Sequence, residues 1–282
     1  MHQEVANARQ PLVFTAVVDI GADNVSRAAA ALVALGSQEA LQRGGLGVVR
    51  LAELTGGDKG QLSRLLSTMA EHGLVERDAD THGYRLGWQL FALAAQVGDQ
   101  RLLGLATPLL AALADRLGER TSLSVLRGTE VFTLFSQPSP RALQAVGWAG
   151  RTVPAYCTSS GRALLFDHRR GDLVALFSQT RFAQLGPNTP PDVGALYRRI
   201  VASRTRGYTV VAEEMEAGLV AAAAPVRDAR GRICGAVNVS APQFRLGGAR
   251  KLAAVGRAVK EVSDELAALL AEGRDAAGRG RH

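Results

Sequence analysis

The stretch that decides the N-terminal fold is residues 58–73, which read DKGQLSRLLSTMAEHG. Four apolar side chains stand at i, i+3, i+4 and i+7 within it: Leu62, Leu65, Leu66 and Met69. This spacing places them on one face of an α-helix. Asp58 is a good cap for the first turn, and Gly73 follows where a left-handed residue ends a helix at little steric cost. The stretch therefore predicts an amphipathic helix that begins after Asp58 and ends before Gly73.

The opposite face of this helix is polar and basic. It carries Lys59, Gln61, Ser63, Arg64 and Ser67. A DNA major groove admits one α-helix, whose exposed side chains read base edges through hydrogen bonds. The amide, hydroxyl and guanidinium groups of this set suit base edges, and Lys59 at the helix N-terminus suits a phosphate. A solvated surface helix without a DNA partner is the competing interpretation.

The elements around this helix predict a winged helix-turn-helix. They are a helix over residues 24–35, a short helix at 51–54, and two strands at 74–77 and 84–86 joined by a polar turn. Asn24 or Ser26 is expected to cap the first helix, and residues before it form an arm without a clear period. The order helix, turn, recognition helix and β-hairpin is typical of winged helix-turn-helix domains, some of which never bind DNA.

The predicted hairpin, or wing, would bring further basic groups to the DNA backbone or minor groove. These are Arg77, His82 and Arg85. Residues 24–87 contain seven basic and seven acidic residues, so the module is formally neutral. Binding to DNA therefore requires that its charges be segregated onto different faces.

The composition of the whole chain limits its class. The 282 residues are 47% hydrophobic, which suits two globular domains and excludes a mostly disordered chain. The formal charge of +7 is compatible with a polyanionic partner without identifying one. Cys157 and Cys234 are too few for a disulfide framework or a cysteine-rich zinc site. The apolar run at residues 11–20 is too short for a membrane span and lacks a basic flank, so a cytoplasmic protein is expected.

Catalytic and cofactor motifs are scarce. No HExxH, CxxC or phosphate-binding loop occurs, so no metal, cofactor or catalytic residue is assigned. The segment Cys157–Gly161 begins a predicted helix after a strand-like run. Its small polar residues either cap that helix or form a pocket for a ligand's carboxylate or carbonyl, and the sequence favours neither. A nucleophile at Cys157 or Ser160 would need a base such as His168.

The C-terminal two-thirds alternates helices with strands. A helix over residues 88–105 leads to Thr107-Pro108, which should begin the next helix. Strands are predicted at residues 122–126, 131–135, 141–147, 207–211, 219–226 and 233–239. Helices are predicted at residues 160–167, 172–177, 191–206 and 250–272, and the tail from Gly273 should be disordered.

Taken in order, the motifs of this chain resemble those of IclR-type bacterial transcriptional regulators from about Val25 to Leu270. The N-terminal motifs are Leu51–Leu54, Leu62–Leu66, Gly73–Glu76 and Tyr84–Gly87. The more specific C-terminal motifs are Arg141–Leu143, Gly150–Pro154, Cys157–Gly161 with Ala163–Leu165, Arg206–Tyr208, Glu213-Glu214 with Gly218, Ala224–Val226 and Val239–Pro242. Each motif is weak alone, and their common order carries the resemblance.

The resemblance implies a two-domain α+β fold. Its parts would be an N-terminal arm at 1–23, a winged helix-turn-helix DNA-binding domain at 24–87, a linker helix at 88–105, a GAF-like α/β effector domain at 106–272 and a disordered tail at 273–282. It also implies homodimers formed through the DNA-binding domains and homotetramers formed through the effector domains. Because one recognition helix spans only a few base pairs, an inverted-repeat operator in double-stranded DNA is expected.

The resemblance also implies an effector pocket. Carried over by position, its residues would be Ala145, Val153, Ser159, Ser160, Val211, Ala221, Asn238 and Ser240. This set contains no Lys, Arg or His, so neutral hydrogen bonds and helix-end amides should hold an effector's carboxylate or carbonyl. Family members that bind small keto acids carry Asp and Cys at the positions of Val211 and Ala221. A larger or more apolar organic effector is therefore expected here.

Two functions from different classes follow. The first is a DNA-binding regulator, most simply a repressor of a nearby catabolic operon, whose DNA affinity is switched by a small organic effector. The second is a small-molecule-binding or hydrolytic GAF-like protein that uses Cys157 or Ser160 and keeps a vestigial N-terminal module. Joint exposure of the polar groups on the 58–73 helix would favour the first function. A hydrogen bond from His168 to Cys157 or Ser160 would favour the second.

Overall fold

The computed structural model describes residues 23–94, 100–140, 148–246 and 248–278. The chain divides into two compact units, Met1–Gly98 and Asp99–His282. Residues 1–22 of the predicted arm, residues 95–99 of the predicted linker helix, the predicted strand at 141–147 and residues 279–282 of the predicted tail lie outside the described residues. In the part of the chain that is described, no helix is long and apolar enough to cross a membrane.

The first unit contains five helices and a two-stranded antiparallel hairpin within its described residues. They are α1 (Asn24–Leu35), α2 (Gln38–Arg43), α3 (Val48–Thr55), α4 (Lys59–Glu71), β1 (Val75–Arg77), β2 (Tyr84–Leu86) and α5 (Trp88–Ala94). The sequence did not predict α2, which Ser37 begins by accepting a hydrogen bond from the Ala40 amide. The cap predicted for α1 was wrong: the Asp23 carboxylate accepts from the amides of Val25 and Ser26, each at 2.9 Å. A side-chain cap must precede the first helical residue, and Asn24 and Ser26 lie inside the helix.

Helix α4 forms as its sequence predicts. Asp58 Oδ1 accepts a hydrogen bond from the Gln61 amide at 2.8 Å, and Gly73 adopts a positive φ of 67° after the helix ends. The buried face of α4 carries Leu62, Leu66 and Met69, which pack in the core of this unit. Burial of each such side chain contributes about 1.5–3 kcal/mol to the free energy of folding and fixes which face of α4 points outward.

A second, shorter strand pairing joins the chain before α3 to the hairpin. Leu46 and Tyr84 exchange two backbone hydrogen bonds of 2.9 and 2.8 Å. Gly45 makes this approach possible, because its φ is 143° and a Cβ on it would lie 2.8 Å from the Tyr84 carbonyl oxygen. The pairing ties the hairpin to the helices, as a winged helix-turn-helix requires.

The second unit is built on a six-stranded sheet. Its elements are α6 (Gln100–Leu117), β3 (Arg120–Arg127), β4 (Glu130–Gln137), β5 (Thr152–Pro154), α7 (Ser159–Leu164), α8 (Arg170–Leu176), α9 (Val193–Arg204), β6 (Thr209–Ala212), β7 (Leu219–Arg227), β8 (Ile233–Pro242), α10 (Gln243–Leu246) and α11 (Ala249–Gly278). The strand order is β5-β4-β3-β8-β7-β6, and every neighbouring pair is antiparallel.

The two faces of this sheet differ in chemistry because side chains alternate along each strand. One face packs against α6 and α11 and is aliphatic: Leu123, Val220, Ala222, Val237 and Val239. The other face lies under α7 and is small and polar: Ser122, Ser124, Ala221, Ala223, Asn238 and Ser240. Short side chains fill less of the space between sheet and helix, so a cavity forms on this second face.

Two helix boundaries in this unit differ from the predictions. Helix α6 already begins at Gln100 and runs through Pro108, which was predicted to start a new helix. Thr107 Oγ1 donates to the Leu103 carbonyl inside α6 at 2.8 Å rather than capping it. A proline removes one hydrogen bond from a helix, but five buried residues keep α6 packed: Leu102, Ala106, Leu110, Leu113 and Ala114. Helix α11 continues to Gly278, so the prediction of disorder from Gly273 was wrong for residues 273–278.

Candidate functional site

The outer surface of α4 carries the side chains predicted to bind DNA. Lys59, Gln61, Arg64 and Ser67 are exposed, and Ser63 is half-buried. Among the described residues, neither Lys59 nor Arg64 forms an ion pair. Ser67 donates its hydroxyl hydrogen to the Ser63 carbonyl at 3.0 Å, which leaves its oxygen free to accept. The structure therefore places cationic and hydrogen-bonding groups together on one exposed helix face.

The wing carries the two further arginines that were predicted to bind DNA. Both are exposed at the hairpin, where Arg85 contacts Glu76 at 2.9 Å and Arg77 lies 5.9 Å from the centroid of the Tyr84 ring. The turn between the strands is held by Asp78, whose pKa is lowered mainly by a hydrogen bond from the Thr81 amide. This turn fixes the wing without using its arginines.

Three acidic residues of the first unit are held in ion pairs by arginines that lie outside α4. Arg50 contacts both Glu39 and Glu53 at 2.9 Å, while Glu76 is engaged by Arg85. Residues 24–87 are formally neutral, and Lys59 and Arg64 are the exposed basic residues of α4.

A cavity of about 350 Å³ lies in the second unit between α7 and the polar face of the sheet. Seven of the eight predicted effector residues line it: Val153, Ser159, Ser160, Val211, Ala221, Asn238 and Ser240. The eighth, Ala145, lies outside the described residues. The volume is in the range of small-molecule sites.

The start of α7 combines both roles that the sequence left open. Thr158 Oγ1 accepts from the Gly161 amide at 3.1 Å and caps the helix, whereas Ser159 and Ser160 are buried and line the cavity. Asn238 Nδ2 approaches Ser159 Oγ at 3.4 Å across the cavity wall. Gly161 allows the first turn of α7 to pack closely against Ala155, since a Cβ on it would lie 2.1 Å from the Ala155 carbonyl oxygen.

Charged residues that line the cavity contradict the prediction of an uncharged pocket. The additional lining residues with ionic or aromatic groups are Glu119, Arg120, Trp148, Glu216 and Arg245. Arg245 Nε contacts Glu119 at 3.0 Å, and Glu119 is only 1% exposed. The sequence held one usable signal: Arg120 precedes Ser122 and Ser124 at a spacing of two, which puts all three on one strand face.

The loop that closes one side of the cavity is anchored by a buried cluster of charges. Glu214 accepts from Arg162 of α7 at 2.6 Å and contacts Arg199 of α9 at 2.8 Å. The next residues of this loop, including Met215 and Glu216, line the cavity. Burial lowers the pKa of Arg162, and the carboxylate of Glu214 opposes that effect.

The hydrolytic alternative fails on the chemistry of Cys157. This thiol is fully buried, and burial raises its pKa to about 12. Its Sγ lies 3.7 Å from the Pro154 carbonyl oxygen, and among the described residues His168 forms no hydrogen bond with Cys157 or Ser160. A cysteine nucleophile must be ionised to attack, so Cys157 is a wall of the cavity and not a reactive group. Among the described residues, no cluster of His, Cys, Asp or Glu could hold a metal ion.

Two family models match this chain. A model described as the IclR helix-turn-helix domain matches residues 24–79, and one described as the bacterial transcriptional regulator IclR C-terminal domain matches residues 94–268. The first range contains α4 and the first strand of the wing. The second contains the six-stranded sheet and the cavity. The predicted two-domain α+β fold class is confirmed.

Similar curated proteins are regulators. The HTH-type transcriptional regulator BhcR of Paracoccus denitrificans is 30% identical over 236 residues, which cover 83% of this chain and 84% of that protein. The HTH-type transcriptional repressor AllR of Escherichia coli is 26% identical over 184 residues, covering 65% of this chain and 68% of that protein.

Similar solved structures have the same fold. The Thermotoga maritima IclR aligns with a TM-score of 0.68 at 22% identity, covering 88% of this chain and 98% of that chain. An IclR homologue from Microbacterium hydrocarbonoxydans, solved in complex with 4-hydroxybenzoate, aligns with a TM-score of 0.69 at 22% identity, covering 88% and 99%.

Proposed function

This chain belongs to the IclR family of bacterial transcriptional regulators, and we propose that it represses a nearby catabolic operon and is switched by a small organic effector. As a family member it is a DNA-binding regulator with a C-terminal effector domain, and it is not an enzyme. The observation that carries the proposal is the joint exposure of Lys59, Gln61 and Arg64 on α4. The similarity to AllR, which is named a repressor, supports repression here.

The DNA partner in this proposal is a double-stranded operator with an inverted repeat. Gln61, Arg64 and the serines of α4 contact base edges, and Lys59 contacts a phosphate. The wing arginines Arg77 and Arg85 lie along the flanking backbone. Because the chromosome is the target, the protein acts in the cytoplasm.

A homodimer or homotetramer reads the two half-sites of this operator. Support comes from apolar side chains on α1 and α5 that the first unit leaves in solvent. Val25 is 79% exposed and Trp88 is 75% exposed, and Val33 and Phe91 are similar. Large apolar groups exposed to this extent mark an interaction surface.

The effector in this proposal is a carboxylate or carbonyl compound with an apolar body. Val153, Val211 and Ala221 give the cavity an apolar wall, while its serines and Asn238 offer hydrogen bonds. Val211 and Ala221 are paired across β6 and β7, so they form one continuous apolar patch. Such a patch suits a ligand larger than a small keto acid. The 4-hydroxybenzoate bound to the Microbacterium homologue is a ligand of this chemical type.

The test is a gel shift with the intergenic DNA next to the protein's own gene, with and without 4-hydroxybenzoate and other small organic acids. An effective acid should weaken the complex of the wild type. Ala221→Leu fills the cavity and should abolish this response while leaving basal operator binding nearly unchanged, since a ligand acts only through unequal affinity for two states. Ala175→Leu, at an exposed position on α8, is the matched control. An undiminished response in Ala221→Leu would place the effector elsewhere.

A further inference from the structure

Arginines gather where the chain after α7, the start of α8, the end of α9 and the turn between β7 and β8 meet. Arg227 of β7 donates to both carboxylate oxygens of Asp167 at 2.7 and 2.8 Å, which fastens the turn to the chain that leaves α7. Arg204, the last residue of α9, donates to the His168 carbonyl at 2.6 Å. Two arginines follow His168 directly, and the turn adds two more. We call this set the arginine cluster: Arg169, Arg170, Arg204, Arg227, Arg230 and Arg232.

The charge of the arginine cluster is not balanced by its carboxylates. The acidic residues on the same segments are Asp167, Asp172 and Asp228. Six guanidinium groups therefore face three carboxylates. The turn between β3 and β4 lies at the same end of the sheet and adds Arg127 and Glu130, whose charges cancel. The described part of this corner thus has an excess of three positive charges.

The three carboxylates are already engaged within the corner. Asp228 contacts Arg232 at 2.9 Å, and Asp172 accepts from a backbone amide at the start of α8 at 2.7 Å. The pKa of Asp167 is lowered mainly by its hydrogen bonds with Arg227, and the nearby charge of Arg204 lowers it further. The excess positive charge therefore lies on the remaining arginines.

Arg170 and Arg230 are the clearest carriers of this excess. Both are exposed, and neither forms an ion pair within the described residues. They lie on different segments, α8 and the β7–β8 turn, which the contact between Arg227 and Asp167 holds together. An arginine stays protonated at any physiological pH, so these charges are permanent.

The chemistry of the surface suits a polyanion better than a folded protein. Tight protein interfaces centre on buried aromatic or large apolar anchors. The described residues of α8, α9 and the β7–β8 turn expose no aromatic ring, and their exposed large aliphatic side chains are Val174 and Val201. Phosphate groups of a nucleic acid are bound mainly by arginine and lysine, without any apolar anchor.

We propose that the arginine cluster is a second DNA-contacting surface, which binds backbone phosphates of the duplex held by α4 without reading its sequence. This inference goes beyond the operator contacts of α4 and takes from the proposed function only that the chain binds DNA. The covalent link between the two units gives the bound duplex a high effective concentration near the cluster, so a few phosphate contacts add measurably to the affinity.

The experiment measures the salt dependence of DNA binding by the full-length protein. Fluorescence anisotropy follows binding to the intergenic fragment, and to an unrelated duplex of equal length, over a series of KCl concentrations. Arg170→Gln with Arg230→Gln should reduce the slope of log K against log salt by about 1–2, since each phosphate contact contributes about 0.9 to it. The loss of affinity should be largest at low salt and should occur with both duplexes. Arg170→Lys with Arg230→Lys should keep the wild-type slope, because a phosphate contact depends on charge.

Arg250→Gln with Arg257→Gln is the matched control. These arginines are exposed on α11 and form no ion pair in the described part of the chain, so the control removes the same net charge from another surface. It should keep the wild-type slope. A wild-type slope in the Arg170 and Arg230 double Gln variant, or an equal reduction in the control, would overturn the proposal. The same result holds if that variant keeps its DNA slope but no longer binds labelled poly-L-glutamate as the wild type does, since the surface would then suit an acidic protein segment.

Failure of this proposal is distinguishable from failure of the proposed function. If the intergenic fragment is bound no more tightly than the unrelated duplex, the operator function fails, while a reduced slope on both duplexes still supports the arginine cluster. If specific binding is found and the double Gln variant keeps the wild-type slope, the operator function stands and the second DNA surface fails.

Discussion

Replacing Glu214 with Gln should destabilise the effector domain far more than breaking an equally well-formed ion pair at its surface. The Glu214 side chain is 7% exposed and accepts from Arg162, whose side chain is 4% exposed. Gln keeps the size of the side chain but removes the charge. Arg162 cannot escape by losing its proton, so it would remain as an uncompensated cation in the interior.

The structure sets the size of this effect. Removing one partner of a buried pair costs about 3–5 kcal/mol, because the other charge stays desolvated. Losing the contact with Arg199 adds less to this cost, since the Arg199 side chain is 34% exposed and water can solvate it. Asp167 and Arg227 form the matched surface pair, with two contacts of 2.7 and 2.8 Å and side chains about half exposed. Asp167→Asn should therefore cost only about 0–1 kcal/mol.

The assay is urea unfolding followed by the fluorescence of Trp148. A Trp88→Phe background removes the only other tryptophan, so that the signal reports the second unit alone. The double variant Arg162→Met with Glu214→Leu should recover most of the loss, because it leaves no buried charge. A loss in Glu214→Gln no larger than that in Asp167→Asn would refute the reasoning.

In a gel shift, Arg64→Ala should weaken specific operator binding by about 1–3 kcal/mol. Lys59→Ala should instead weaken binding to all DNA sequences and reduce the salt dependence of that binding. Unchanged binding by both variants would contradict the assignment of α4 as the recognition helix. Light scattering should give a dimer or tetramer that Trp88→Ser shifts towards monomer, and a strict monomer with operator present would exclude the assembly. At pH 8, iodoacetamide should modify Cys234 but spare Cys157 unless urea is added. Because burial raises the pKa of Cys157 to about 12, its contribution to stability is full below the unfolded-state pKa near 8.5 and falls as the pH rises towards 12. In thermal melts at increasing alkaline pH, Cys157→Ala should therefore lose less stability than the wild type. An equal loss of stability in the two proteins would contradict this prediction.

The N-terminal fold was predictable because its signals are local. The apolar spacing in α4, its Asp58 cap and the Gly73 stop all lie within sixteen residues, and the structure confirms each of them. The same holds for the hairpin of the first unit, whose polar turn is set by a few adjacent residues. Two predictions were wrong for different reasons. Asp23 rather than Asn24 or Ser26 caps α1, because a side-chain cap must precede the first helical residue. Pro108 lies inside α6, because tertiary burial of one helix face outweighs a single missing hydrogen bond.

The sequence by itself determined the polar face of α4, which follows from residue type at a fixed spacing. The order of its motifs carried the family resemblance, and the resemblance in turn implied the positions that line the cavity. Only the tertiary structure decided the charge of that cavity. Arg120 and Trp148 reach it from different elements, and Glu214 meets Arg162 across 52 residues of chain. Periodicity reports which face of one element a side chain occupies, but it carries no information on which distant element will face it. Charge, burial and ion pairing depend on those distant neighbours, and therefore emerge only when the sheet and its helices pack.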